Sequence, residues 1–280
     1  MKQHMFSILA VALWAPLLVG CSHDASASSP GDDTGHDAAS GASANAGRPT
    51  IHLDQTSVLT VDGEPIEEKS YRQLVADCHK AGAPTTEIPA SDVDKIGRFH
   101  LEEWIGTERS ARHMESWSQN ASGPCRFVLD HKDDTEVAEA SGKVTTVDNT
   151  AHTIDVQDVG PDMAVGAVPA NEGDETDADR ATGWHKEADQ QANGATCSAW
   201  KSDTGEETCV WSGGGKWGYS SKGASALDSN GQSSGSVIAL WARPGKGSSW
   251  RLDTHSFDLG RPLPDAPFQI PTGLAKKSNN

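Results

Sequence analysis

The residues best suited by letter to chemistry are Gly231-Gln232-Ser233-Ser234-Gly235, which match G-x-S-x-G. That motif makes a nucleophile only where a strained strand-to-helix turn lifts the serine above a parallel sheet. Here it follows the polar Asp228-Ser229-Asn230 and precedes the strand-like Val237 to Ala242. His255 and Asp258 follow in the wrong chain order for that fold, and no alternation of strands with long helices supports it. It therefore reads as a loop. Gly215-Lys216 resembles part of a phosphate loop, but Val210 stands where the motif needs its first glycine and Trp217 where it needs Ser or Thr. Asn171 to Asp179 is acidic enough for calcium, yet its spacing does not fit the twelve-residue loop and no glutamate closes it. It reads as a solvated charge run. His79, His100, His113, His131, His152, His185 and His255 are scattered, and each reads as structural or solvated. No catalytic residue, metal ligand or cofactor emerges, and the expectation is a protein that is not an enzyme.

The remaining chemical signal lies near the first residue. Phe6 to Val19 is an apolar run behind Lys2; it ends in Leu18-Val19-Gly20-Cys21 and turns polar at Ser22. A spanning helix needs about 20 apolar residues. This run is shorter, holds Ser7 and Pro16, and stops in small residues as an export signal does. Leu18-Val19-Gly20-Cys21 resembles the lipobox of bacterial lipoproteins, in which a peptidase cuts before the cysteine and lipid is attached to it. The resemblance implies a signal peptide over residues 1–20, a lipidated Cys21 and anchoring in the membrane through palmitate-type chains, stable when there are two or more. Ser22, where an aspartate would mark retention, implies by likeness to Gram-negative lipoproteins an outer-membrane protein facing the periplasm.

Setting Cys21 aside leaves Cys78, Cys125, Cys197 and Cys209. Four cysteines in an exported chain imply two disulfides, with three pairings open. No CxxC or His-rich spacing points to zinc. Thr196 to Lys201 and Glu207 to Trp211 flank Ser202-Asp203-Thr204-Gly205, a tight-hairpin signal. With the turn centred near residue 203, Cys197 and Cys209 come nearly opposite each other, within bridging range. Cys78 and Cys125 are then the remaining pair.

The formal net charge is −17, from 23 Lys and Arg against 40 Asp and Glu. Nucleic acid is gripped through its phosphates by Lys and Arg, and anionic lipid by basic clusters, so neither is expected on this surface. Cationic partners are favoured instead. Ser22 to Pro49 is rich in Ser, Ala, Gly and Asp, with too little to bury to offset the entropy of ordering. Residues 21–49 therefore read as a lipidated, disordered tether spanning about 30 Å. The rest suits one modest core: a single β-rich domain over 50–275, with a disordered tail at 276–280.

Within that domain, short strand patterns alternate with turn signals. Ser57 to Val61 reads as a strand stopped by Asp62-Gly63. Pro65 then opens a helix with Ile66, Tyr71, Leu74, Val75 and Cys78 near one face, ended by Gly82 and Pro84. A hairpin through Asp62-Gly63 is the alternative. Arg98 to Trp117 reads as two strands about Gly106-Thr107, and Asn120 to Pro124 as a loop. Cys125 to Leu129, Val144 to Val147 and Thr153 to Val159 continue the strands, and Val237 to Ala242 pairs with Trp250 to Leu259. The class expected is mainly antiparallel β with one or two short helices.

Leu263-Pro264-Asp265-Ala266-Pro267-Phe268-Gln269-Ile270-Pro271-Thr272-Gly273 resembles the L-P-x-x-x-F-x-[IL]-P-x-G ending of a group of uncharacterised bacterial envelope proteins. In that group a strand pair like Ala199-Trp200 to Val210-Trp211 precedes the ending. The group is similar to the LolA/LolB-like superfamily of periplasmic lipoprotein carriers and outer-membrane receptors. Over Arg98 to Gly273 the likeness implies a curved antiparallel sheet, an incomplete barrel with helices closing its mouth. The disulfides, acidic insert and tether depart from the carriers, and no ligand residue carries over. The function expected is that of a lipoprotein whose sheet binds an apolar ligand such as lipid or an acyl chain, with Trp104, Trp200, Trp211 and Trp241 as groove candidates. The alternative is an envelope interaction or assembly protein whose acidic surface meets a basic partner.

Overall fold

A computed structural model of the protein describes residues 47–160, 180–222, 226–233 and 237–277. Cys21 with its lipobox, the tether to residue 46 and the acidic stretch 171–179 lie outside the described residues. The described chain opens with β1 (Ile51–Val61), which turns back at Asp62-Gly63 into the two-residue β2 (Glu64–Pro65). Both turn residues have positive φ, +50° and +82°, as a tight two-residue hairpin requires. The helix α1 (Ile66–Lys80) follows at once. Hairpin and helix, alternatives in the sequence, are thus both present, because the turn needs only two ladder residues before Pro65 starts the helix.

Next come β3 (Arg98–Ile105), β4 (Arg109–Gly123), β5 (Arg126–Glu139), β6 (Lys143–Asp148) and β7 (Thr153–Asp158). Beyond residue 180 follow β8 (Trp184–Lys186), β9 (Gln190–Ala192), β10 (Ala195–Ser202), β11 (Glu207–Trp211), β12 (Ala239–Arg243), β13 (Ser248–Leu259) and β14 (Ala275–Lys276). They form one open, curved sheet in the order β14-β7-β6-β5-β4-β3-β1-β13-β12-β11-β10-β8, not closed into a barrel. Every pairing between these strands is antiparallel except β14 on β7, and two isolated parallel bridges join Thr86 to Arg126 and Ser220 to Val237. The domain edges differ from expectation at both ends. Arg48 is buried and donates to the Tyr219 hydroxyl at 2.6 Å, while Lys276 lies in β14. Asn120 to Gly123, expected as a loop, extends β4; only Pro124 and Cys125 turn the chain, Cys125 with φ +54°.

Strands β10 and β11 are buried on both faces, since the consecutive residues Cys197 to Trp200 and Thr208 to Trp211 are all interior. One cluster gathers Ile51, Leu53, Cys197, Trp211 and Phe257; another gathers Trp200, Val210 and Leu252. A third lies under α1, where Tyr71, Val75 and Cys78 pack on Ile88, Ile96, Phe127 and Leu129. Ile66 and Leu74, expected on that face, are exposed instead. A fourth forms where Leu263, Phe268 and Ile270 of the C-terminal segment cover Ala111, Val137 and Trp104. These are the apolar letters of the L-P-x-x-x-F-x-I ending.

Both disulfides are present, Cys78–Cys125 and Cys197–Cys209, with Cα separations of 5.8 and 5.4 Å. The β10–β11 turn centres one residue later than the sequence suggests, pairing Lys201 with Glu207 and Ala199 with Cys209. The second bridge therefore runs diagonally across the ladder. Cys78–Cys125 ties α1 to the β4–β5 turn and closes a loop of about 48 residues, worth about 4 kcal/mol in the chain-entropy model. The Cys78→Ser/Cys125→Ser variant should accordingly lose about 4 kcal/mol in urea unfolding and expose α1 to hydrogen exchange. The matching Cys197/Cys209 variant should lose about 3 kcal/mol and leave α1 protected.

Candidate functional site

Four adjacent strands carry the same chemistry at period two. β1 reads His52-x-Asp54-x-Thr56 and β5 reads His131-x-Asp133-x-Thr135; between them β3 reads His100-x-Glu102-x-Trp104 and β4 reads His113-x-Glu115-x-Trp117. Alternate residues of a strand point the same way, so each run presents its named side chains on one face. The registers then align the runs. Trp104 faces His52, Glu102 faces Asp54 and His100 faces Thr56 across β1–β3. Trp117 faces His131, Glu115 faces Asp133 and His113 faces Thr135 across β4–β5. With Glu102 opposite His113 and His100 opposite Glu115 in the middle, the two halves are related by a local dyad between β3 and β4.

The hydrogen bonds repeat with the dyad. His52 Nε2 meets Glu102 at 2.9 Å, as His131 Nε2 meets Glu115 at 3.0 Å. His100 Nε2 meets Asp54 at 2.9 Å, as His113 Nε2 meets Asp133 at 2.9 Å. His52 stacks on Trp104 and His131 on Trp117, with ring centroids 5.4 and 5.1 Å apart. One contact breaks the symmetry: His100 Nδ1 also lies 3.0 Å from Glu115. The side chains in these pairs are 22 to 42% exposed, so the patch is open to solvent.

The ends of the patch are closed. Along the same face of β5, Phe127 and Leu129 lie in the cluster under α1, while Val137 lies under the C-terminal segment. His131, Asp133 and Thr135 between them remain uncovered by either cluster. At the C-terminal end a cleft of about 310 Å³ is lined by His52, Glu102 and Trp104 against Arg261, Pro262 and Leu263.

A carboxylate only accepts hydrogen bonds, so each facing ring nitrogen carries a proton. His100 faces two carboxylates through both nitrogens, an arrangement that favours the imidazolium. Burial opposes that charge, but hydrogen bonds to Glu115 and Asp54 outweigh it and raise the His100 pKa above 6.5. Burial likewise favours a neutral Glu115, yet the bonds from His100 and His131 hold its pKa below 4.5.

The residues singled out in the sequence fall elsewhere. Ser233 is interior; its hydroxyl donates to Gln55 Oε1 at 3.0 Å and accepts from the Ala239 amide at 3.1 Å. Gly231, at φ +70°, lies where a Cβ would strike the Trp250 ring, so this glycine answers to a turn and a close approach. His255 bonds Thr56 instead of a serine. A Cβ at Gly213 would strike Trp211 and one at Gly214 would strike Trp211 and Tyr219, which accounts for these two glycines. Of the groove candidates, Trp200 and Trp211 are 1% and 3% exposed and belong to the core. Trp200 donates its indole N–H to the Ser221 carbonyl at 2.9 Å. Trp241 edges a depression shared with Glu187, Lys201 and Glu207, and Trp104 edges the separate cleft beside Leu263, so the four line no common groove. Of the histidines that look scattered in the sequence, His100, His113 and His131 share one face, joined there by His52. No family model matches this chain, and a search of curated proteins finds no match.

His100 supplies a pH test. A raised folded pKa stabilises fully below the unfolded value near 6.5 and loses that stability as pH rises through the folded value. Glu115 works the other way, contributing above 4.5 and losing it as pH falls through its lowered value. His100→Asn should therefore lower the urea midpoint most at pH 6, and the gap to the parent chain should narrow by pH 8. An equal gap at both pH values would contradict the charged ring.

Proposed function

We propose that this chain is a non-enzymatic interaction protein of the bacterial envelope, held by lipid on Cys21, whose histidine–carboxylate face meets a basic partner protein. The observation that carries this is the company kept by Asp54, Glu102, Glu115 and Asp133. Their side-chain hydrogen-bond partners among the described residues are histidines and Asn149, and Lys95 acts on Glu115 only at longer range. A neutral imidazole satisfies a carboxylate oxygen without cancelling its charge. His100 faces two carboxylates through its two nitrogens, and His52 does so more loosely, at 2.9 Å from Glu102 and 3.7 Å from Asp258, so carboxylates outnumber imidazoles on this face. The overall charge of −17 adds a long-range field that draws cationic surfaces toward it. The lipobox likeness supports the envelope location, and two disulfides fit an oxidising compartment. The apolar-ligand reading draws on less, because Trp200 and Trp211 are committed to the core.

The test is fluorescence anisotropy with a labelled Lys/Arg-rich peptide. Affinity should fall at least about tenfold between ~50 and ~300 mM salt. It should fall similarly in Glu102→Gln/Glu115→Gln/Asp133→Asn. Binding indifferent to both changes would overturn the proposal. So would bound lipid found by native mass spectrometry, which would return weight to an apolar ligand.

A further inference from the structure

Glu115 and Asp133 stand directly opposite each other on β4 and β5. Like charges in that position repel unless something bridges them. His113 partners one of them, its Nε2 lying 2.9 Å from Asp133 Oδ1, and one donor atom each from His113, Glu115 and Asp133 lie within 4.8 Å of one another. We propose that these three side chains form a binding site for a zinc-class divalent cation. This stands whether or not a basic partner docks on the same face.

Several features favour that ligand. Zinc sits 2.0–2.2 Å from histidine nitrogen and carboxylate oxygen, which places neighbouring tetrahedral donors about 3.3 Å apart. To admit the ion the His113–Asp133 pair opens by a few tenths of an ångström, Glu115 closes in from within 4.8 Å, and the His113 Nε2 proton leaves to solvent or shifts to Nδ1. Both carboxylates are held by neighbours: Asn149 donates at 2.6 Å to the same Asp133 oxygen that faces His113, and His100 holds the second oxygen of Glu115 at 3.0 Å. Supporting hydrogen bonds of this kind fix ligand geometry and raise affinity. Imidazole selects zinc-type ions over calcium and magnesium, and the Cys78–Cys125 and Cys197–Cys209 bridges remove thiolate competition. Three protein donors leave a fourth position for water or for His131, which already reaches Glu115 at 3.0 Å. On the other side of the dyad His100 Nε2 keeps its contact with Asp54, but His100, Glu102 and Asp54 do not bring one donor atom each within 4.8 Å of one another, so one site, not two, is expected among the described residues.

The test uses the untagged, oxidised full chain and zinc chloride alone, read by calorimetry and by long-range 1H–15N NMR of the imidazoles. One equivalent should bind saturably, and the His113 Nε2 resonance should move more than that of His52 or His185. His113→Asn should weaken binding at least about tenfold, while His52→Asn and His185→Asn leave it within about twofold. Circular dichroism checks each variant, and if His113→Asn does not fold, the resonance shift in the parent chain decides alone. No saturable binding at millimolar zinc overturns the site. So does a shift confined to other histidines, or binding equal in all variants.

Discussion

The alignment of β3 against β4 decides what the open face carries. Side chains alternate with a period of two, so a slip of one residue would send His100, Glu102 and Trp104 inward and turn Leu101, Glu103 and Ile105 out. The inner face resists such a slip. Leu101 and Ile105 are almost fully buried, and the buried Glu103 carboxylate accepts from Arg112 at 2.7 Å. Losing either partner would strand a charge in the interior. The tight turn, closed by the Gly106 amide on the Arg109 carbonyl at 2.8 Å, leaves little slack in the hairpin.

Once that register is set, the neighbours β1 and β5 complete the two halves. Each half places an Asp opposite a Glu, an arrangement that costs stability on its own. Histidine offsets it by donating a hydrogen bond to each carboxylate, and tryptophan fixes one ring of each half by stacking. The arrangement holds close charges without Lys or Arg. The carboxylates in it remain partly exposed to solvent. The α1 wall, tied down by Cys78–Cys125, and the C-terminal segment limit that approach to the middle of the strands.

Much of the fold is legible in the sequence because strand alternation and turn residues are local signals. Asp62-Gly63, the two strands of Arg98 to Trp117 and the Cys197–Cys209 hairpin all follow from residues a few positions apart. Asn120 to Gly123 was not legible: its loop-forming residues are overridden by pairing with β5. Ile66 and Leu74 look apolar enough to bury, but the helix turns Tyr71, Val75 and Cys78 to the sheet instead. The histidine face was missed for a different reason. Its repeated letters, His-x-Glu-x-Trp twice and His-x-Asp-x-Thr twice, are visible in the chain. Taken one by one, each histidine looks ordinary, and that β1 and β5 flank β3 and β4 depends on long-range pairing that no local pattern reveals. Conversely, G-x-S-x-G reads as a loop from its polar surroundings; Ser234 and Gly235 lie outside the described residues, and the interior Ser233 has a structural use.

The central claim, that one register gathers these histidines and carboxylates on a single face, is open to direct measurement. Cross-strand NOEs across the β3–β4 hairpin should pair His100 with Glu115, Glu102 with His113 and Trp104 with Ala111. Contacts displaced by one residue, such as Glu102 with Arg112 or Met114 as its directly opposite partner, would contradict the account and scatter the proposed site.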